Sequence, residues 1–234
     1  MGDNGAVDNS TNNAGLNFSG FAYAATSQAK PLNGSDSFNR LRLDAFVTAS
    51  RNDWEVTSYT FVTEDAAHAP RSGYGETRIW VGHSALPLSF NLEDAFGSAA
   101  NDLGRVGAVF WLNRVPFVRE TLDTMGTWAY VELNPLEFDL GKGGLANTMS
   151  SEIFYSLDPF QNGVRPKIVG FADLIYDKNL KSTSVNTEHR IELAIPAGKA
   201  EFAPAIEWRR YGFLPGNEMD RQSVAGIVAL KCPL

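Results

Sequence analysis

The chain has 234 residues, 44% of them hydrophobic, and a formal net charge of -7 at neutral pH. That length reads most simply as one domain, and that apolar fraction excludes disorder of the whole chain. The acidic balance excludes a nucleic-acid partner, since phosphate neutralisation needs a basic surface and the longest basic run is the pair Arg209-Arg210.

Residues 1–15, MGDNGAVDNSTNNAG, are polar and rich in Gly and Asn, and they read as a flexible tail. They carry neither a charged n-region nor an apolar h-region. The expectation is a mature exported chain whose signal peptide has been removed. From residue 16 to residue 234 the punctuation is regular. Turn clusters fall near Pro31–Ser37, Ser50–Asp53, Glu64–Gly75, Gly97–Gly104, Leu122–Gly126, Leu140–Asn147, Pro159–Pro166, Asp177–Asn186, Pro196–Lys199 and Leu214–Asp220. Between them lie segments of roughly 9 to 13 residues, rich in Val, Ile, Phe, Tyr, Trp and Thr, which is strand composition at strand length.

Each segment has period two. In Arg40–Thr48, Leu41, Leu43, Ala45 and Val47 share one face, and Arg40, Arg42, Asp44 and Thr48 share the other. Past a short Asn52-Asp53 turn, Trp54, Val56, Thr60 and Val62 alternate with Glu55, Thr57, Tyr59 and Phe61. Ile79 and Val81 alternate with Arg78 and Trp80. The stretch Leu92–Leu103 has the only helical spacing, and would either plug an interior or connect two strands. Val106, Ala108, Phe110 and Leu112 alternate with Arg105, Gly107, Trp111 and Asn113, and Ala129, Val131 and Leu133 with Trp128, Tyr130, Glu132 and Asn134. Further on, Ile168, Ala172 and Leu174 oppose Lys167, Phe171 and Asp173, while Ile191 and Leu193 oppose Glu188, Arg190 and Glu192. Ile206 and Trp208 oppose Glu207 and Arg209, and Val224 and Val228 oppose Ser223 and Ala225. The class is all-β, with about 10 to 12 strands.

Alternation does not say whether the apolar faces point into a core or out into lipid. Three features favour outward. The polar face mixes charges with Trp80, Trp111, Trp128, Tyr59 and Tyr130, which suits a confined lumen. Small residues (Gly82, Gly107, Ala203, Ala205) interrupt it, as a crowded interior requires. Segment lengths match the ~9–11 residues with which a tilted strand crosses a bilayer. The expected fold is therefore a closed antiparallel up-and-down β-barrel, transmembrane, in the bacterial outer membrane. The alternative is a soluble β-sandwich or jelly roll that binds carbohydrate or serves as a shell or appendage subunit.

The order of landmarks resembles the Tsx-type family of nucleoside-specific outer-membrane channels. Leu43-Asp44-Ala45-Phe46, the turn at Asn52-Asp53-Trp54 and Ser58-Tyr59 are similar to its early hairpin. Pro87-Leu88-Ser89-Phe90-Asn91-Leu92 with Gly104–Asn113 is similar to its middle, and His189–Ile195, Glu201–Arg209 and Ser223–Leu230 to its last three strands. The resemblance implies a 12-stranded barrel passing nucleosides or similar small polar solutes.

No covalent chemistry is legible. His68, His83 and His189 lack metal-ligand spacing, and lone Cys232 forms neither a disulfide nor a Cys-based metal site. His83 and Ser84 are adjacent, so on a strand they face opposite ways and make no base–nucleophile pair. Gly141-Lys142-Gly143-Gly144 lacks phosphate-loop spacing and reads as a turn. No enzyme activity, cofactor, metal or catalytic residue is expected. The candidate lumen-lining residues are Arg40, Arg42, Asp44, Glu55, Tyr59, Arg78, Trp80, Arg105, Trp111, Trp128, Tyr130, Glu132, Lys167, Phe171, Asp173, Arg190, Glu207 and Arg209. Interleaved charges would set a field across a lumen, and the rings would stack bases or sugars. The competing reading is a set of exposed cross-strand ion pairs, each worth under ~1 kcal/mol. The expected partners are the lipid bilayer with its lipopolysaccharide and small polar solutes. Oligomeric state has no signature in the sequence.

Overall fold

The computed structural model describes residues 16–32, 38–65, 72–97, 102–160, 163–214 and 221–234. The proposed tail, residues 1–15, and His68 lie outside the described residues. Twelve strands form one closed barrel: β1 (Asn17–Pro31), β2 (Phe38–Arg51), β3 (Trp54–Asp65), β4 (Ser72–His83), β5 (Leu88–Phe96), β6 (Leu103–Trp111), β7 (Thr127–Asp139), β8 (Thr148–Leu157), β9 (Arg165–Asp177), β10 (Ser182–Ala197), β11 (Ala200–Leu214) and β12 (Arg221–Pro233). Each strand pairs antiparallel with its neighbours in sequence, and β1 closes the ring against β12. Closure leaves no sheet edge, and it excludes the two-layered sandwich or jelly roll.

The apolar faces point outward. Strand β5 shows it most cleanly: Leu88, Phe90 and Leu92 are exposed, while Ser89, Asn91 and Glu93 are buried. The same inversion holds elsewhere. Leu43, Val62, Ile79, Ile153, Ile191, Ile206 and Val228 are exposed, and Glu132, Glu137 and Asn91 are at most 1% exposed. Clean period two in β5 overturns the helical spacing expected for Leu92–Leu103. Leu92, Phe96 and Leu103 are spaced by four and seven and so imitate a helix, but cross-strand pairing with β4 and β6 places them in strands; residues 98–101 lie outside the described residues.

The helix lies elsewhere. After a 3₁₀ turn at Leu112–Arg114, α1 spans Pro116–Thr124 and occupies most of the stretch expected to be a turn at Leu122–Gly126. Pro116 at the first helical position suits the fixed φ of proline, and Arg119 pairs with Asp123 one turn on. Along with α1, one rim carries the start of β1, the end of β12, and the tight turns at Asn52-Asp53 and Gly198-Lys199. Asn52 (φ 53°) and Gly198 (φ 67°) take the left-handed backbone that two-residue hairpins need.

One irregularity matters for the interior. Between β6 and β7 the register shifts: Val106 pairs with Leu136, but Ala108 pairs with Leu133. The extra residue in β7 at Asn134-Pro135 is a β-bulge, which removes proline from the ladder and advances the phase by one. Asn134 and Glu137 therefore both face inward, although strict alternation from Asn134 sends Glu137 out. Gly107 makes the bulge possible. A Cβ there would lie 2.0 Å from the Leu133 carbonyl oxygen and 2.3 Å from Asn134 Oδ1. Gly107→Val is expected to destabilise the barrel by about 1–3 kcal/mol through overpacking against backbone. Its denaturant midpoint should fall, and an unchanged midpoint would show the bulge to be deformable.

Candidate functional site

The barrel interior is the candidate site. Inward positions from opposite walls meet there, so side chains far apart in sequence become neighbours. Arg78 on β4 is the hub. Its Nη1 and Nη2 donate to Glu152 at 2.6 and 2.9 Å, Nη1 also reaches the Tyr130 hydroxyl at 3.1 Å, and Nε donates to Glu76. Glu93 and Glu132 each lie 3.6 Å from the same guanidinium. Arg105 on β6 donates from Nε to Glu137 at 2.9 Å and from Nη1 to Glu93. Five buried carboxylates thus share two buried guanidiniums.

A second network joins β2, β10 and β11. Arg42 Nε donates to Asp44 at 2.7 Å, its Nη2 donates to the Tyr59 hydroxyl at 2.9 Å, and its Nη1 lies 3.6 Å from Glu188. Arg209 pairs with Glu188 at 2.6 Å and Glu207 at 2.5 Å, and Arg40 approaches Glu207 at 3.7 Å. Arg190 pairs with Glu192 at 2.5 Å and donates to the Tyr23 hydroxyl at 2.9 Å. These guanidiniums pack beside Tyr23, Ala25, Ser27 and Ile227, leaving a void of only about 10 Å³. Small side chains on that wall, with Ala29, Ala203, Ala225 and Ala229, leave room for the long arginine stems. Towards the α1 rim, Lys167 and Arg165 pair with Glu201 at 2.7 and 2.8 Å, Arg165 pairs with Asp158 at 3.0 Å, and Arg114 from the 3₁₀ turn pairs with Glu55.

The opposite wall is aromatic. Trp80, Trp111, Trp128 and Tyr130 form a continuous set of ring contacts 5.4 to 5.6 Å apart, extended by Phe46, Tyr59 and Phe154. Two of the indole tips are hydrogen-bonded: Trp111 Nε1 donates to Ser89 at 2.8 Å and Trp80 Nε1 to Glu132 at 3.3 Å. Beside this wall lies a cavity of about 760 Å³, within the span typical of small-molecule sites. Its lining runs from Ser19, Glu55, Asn113 and Asp158 near the α1 rim to Thr63, Tyr74 and Asn186 towards the other.

Of the residues named from the sequence, all except Arg40, Arg105, Glu132 and Glu207 line this cavity. Those four also face inward. Arg40 and Glu207 border the small void, and Arg105 and Glu132 are buried in the carboxylate–guanidinium cluster. The charges are paired across strands, as the competing reading expects, but the central pairs are buried rather than solvated. Of the histidines, His83 closes β4 edge-on to Trp54, and His189 faces outward, bonded to the Tyr155 hydroxyl at 2.7 Å over Gly170 and stacked on Trp208. A Cβ on Gly170 would meet that hydroxyl at 2.6 Å, so glycine keeps the bridge open.

Several interior residues escaped the sequence reading. Glu76, Glu93 and Glu152 are central to the Arg78 cluster, and Phe46, Phe154, Tyr74 and Tyr23 complete the ring and hydroxyl contacts. Extending period two through β4, β5 and β8 finds most of them; only Glu137 needs the bulge to be known.

The chain matches no protein-family model and no curated protein. Among solved structures it is similar to an anion-selective porin from Comamonas acidovorans, at 11% identity and TM-score 0.44, covering 94% of this chain and 100% of that one. It is also similar to OccK7 (OpdD) of Pseudomonas aeruginosa, at 8% identity and TM-score 0.40, over 94% and 99%. A loop L8 deletion mutant of OmpT, an outer membrane protein of Vibrio cholerae, gives 6% and 0.35, over 94% and 99%. The likeness is one of barrel architecture.

Removing the hub tests the network. Arg78→Met strips buried carboxylates of their main partner, and breaking such a pair costs about 3–5 kcal/mol. The denaturant midpoint of folded barrel should drop by more than for Gly107→Val. A neutral result would mean the carboxylates re-pair with Arg105 or take up protons at no cost.

Proposed function

We propose that this chain is an outer-membrane β-barrel channel through which small polar solutes diffuse passively. The carrying observation is the inversion of polarity: the outer surface is a belt of exposed Leu, Ile, Val and Phe, and the charges are inside. A surface of that kind is stable only against lipid, because water would leave the belt unburied and favour association. Each strand of the closed ring is paired on both sides, so no open sheet edge faces outward, as lipid requires. The bilayer and its lipopolysaccharide are then the outer partners, and the bacterial outer membrane the location.

Inside, the cavity supplies the path. Its wall offers paired charges and ring edges, so a solute exchanges hydration for weak polar contacts and passes without a covalent step. Nucleosides, the class implied by the resemblance to Tsx-type channels, would find stacking surface on Tyr59, Trp80 and Phe171.

The test separates the two faces. The chain should fractionate with membranes, show heat-modifiable gel migration, and let arabinose or uridine swell proteoliposomes. A monodisperse, detergent-free species in buffer overturns the proposal. Leu43→Arg near the middle of β2 should impair insertion by about 2–4 kcal/mol, the cost of arginine facing the bilayer centre. The inserted fraction should keep its solute preference. Loss of selectivity with unimpaired insertion would mean that Leu43 faces the path.

A further inference from the structure

We propose that the channel selects solutes carrying an organic ammonium group, and that Asp173 is the residue that recognises the charge. This rests on the channel reading. Nearly all the charges that line the cavity are paired. Among the described residues, each lining arginine or lysine except Lys231 has a carboxylate partner, and each lining carboxylate except Asp173 has a cationic one. Asp173 on β9 has neither hydrogen bond nor ion pair there, yet it faces the cavity. A carboxylate out of bulk water without a partner is costly, and it has capacity left for a ligand.

Its surroundings favour a cation. The register places Glu152 of β8 on one side of Asp173 and Asn186 of β10 on the other. Arg78 is engaged by Glu152, so it does not compensate Asp173. The neighbouring cluster sets Glu76, Glu93, Glu132, Glu137 and Glu152 against Arg78 and Arg105, an excess of acids over bases. Two residues along β9, Phe171 pairs with Phe154 of β8, and both rings line the cavity. An ammonium held by Asp173 and the Asn186 carbonyl oxygen could lay its apolar body on these rings, with added cation–π attraction.

The other unpaired lining charge does not cancel this one. Lys231 lies over the Phe21 ring at 4.3 Å, and its neighbour in register is Glu201. Glu201 binds Lys167, which is six residues from Asp173 along β9. That is roughly 20 Å at ~3.3 Å per residue, about two Debye lengths. An anion that enters past Lys231 therefore meets an acidic inner site with no free base.

The experiment uses the full chain in planar bilayers of neutral lipid, with reversal potentials read at neutral pH under gradients of potassium chloride and of benzylammonium chloride. Both gradients should show cation preference, and the organic cation should lower potassium conductance when added at micromolar to millimolar concentration. Asp173→Asn, which keeps the side-chain shape, should cut the cation-to-anion permeability ratio severalfold and abolish that block, and Asp173→Glu should restore both. Chloride preference in the native chain, or an unchanged ratio in Asp173→Asn, overturns the proposal while the channel reading stands. Absence of both conductance and arabinose uptake removes the channel reading, and this inference with it.

Discussion

The Arg78 guanidinium is the contact on which the interior depends. It joins β4 to β8, 74 residues apart in sequence, through two hydrogen bonds to Glu152, and it gathers carboxylates from β4, β5 and β7 around the same centre. A barrel of this strand number leaves a lumen that must be filled by side chains or by water. Here much of it is filled by charge. Buried ion pairs return little net stability, because desolvation consumes the Coulombic gain. They do constrain geometry, since a guanidinium holding two or more carboxylates fixes the angle and separation of the strands that supply them.

The filling is uneven, and that shapes the path. Bulk is concentrated on β3 to β8, where Tyr59, Trp80, Trp111, Trp128, Tyr130 and Phe154 interlock through edge-to-face and stacked contacts. The alanine-rich face of β1, β11 and β12 is thin, and arginine stems fold against it. The cavity lies between a rigid aromatic wall and a lattice of paired charges. Rings hold position through packing, whereas ion-pair heads can exchange partners with little rearrangement. A solute would thus move past a fixed surface on one side and an adjustable one on the other.

Period two made the fold legible, and with it the inward face: Arg42, Asp44 and Tyr59, or Glu188, Arg190 and Glu192, are read directly from alternation. What the sequence could not carry is pairing. Arg42 with Glu188, Arg40 with Glu207 and Arg190 with Tyr23 are contacts across the ring, fixed only when β1 closes on β12. Glu137 was hidden by the bulge, because a single extra residue at Asn134-Pro135 reverses the phase of all that follows in the strand. The Leu92–Leu103 stretch failed for a different reason. It joins the end of one strand to the start of the next, and two short strand fragments can imitate a helical repeat. Direction was legible only indirectly, from aromatic rings on the polar face, which a solvated sheet has no need to place there.

A crowded, mutually paired interior also decides which residues can discriminate between solutes. A charge already neutralised by a buried partner presents a dipole whose field falls steeply within a few ångströms, so most of the interior arginines and glutamates act on a passing ion only weakly. An unpaired carboxylate, when ionised, has no adjacent counter-charge to cancel its field, and low-dielectric walls weaken the screening that water would give it. Selectivity in such a lumen follows the exceptions to pairing rather than the count of charges. The overall acidic balance of the chain says little about it, and the position of one unpartnered group beside two phenylalanine rings says more.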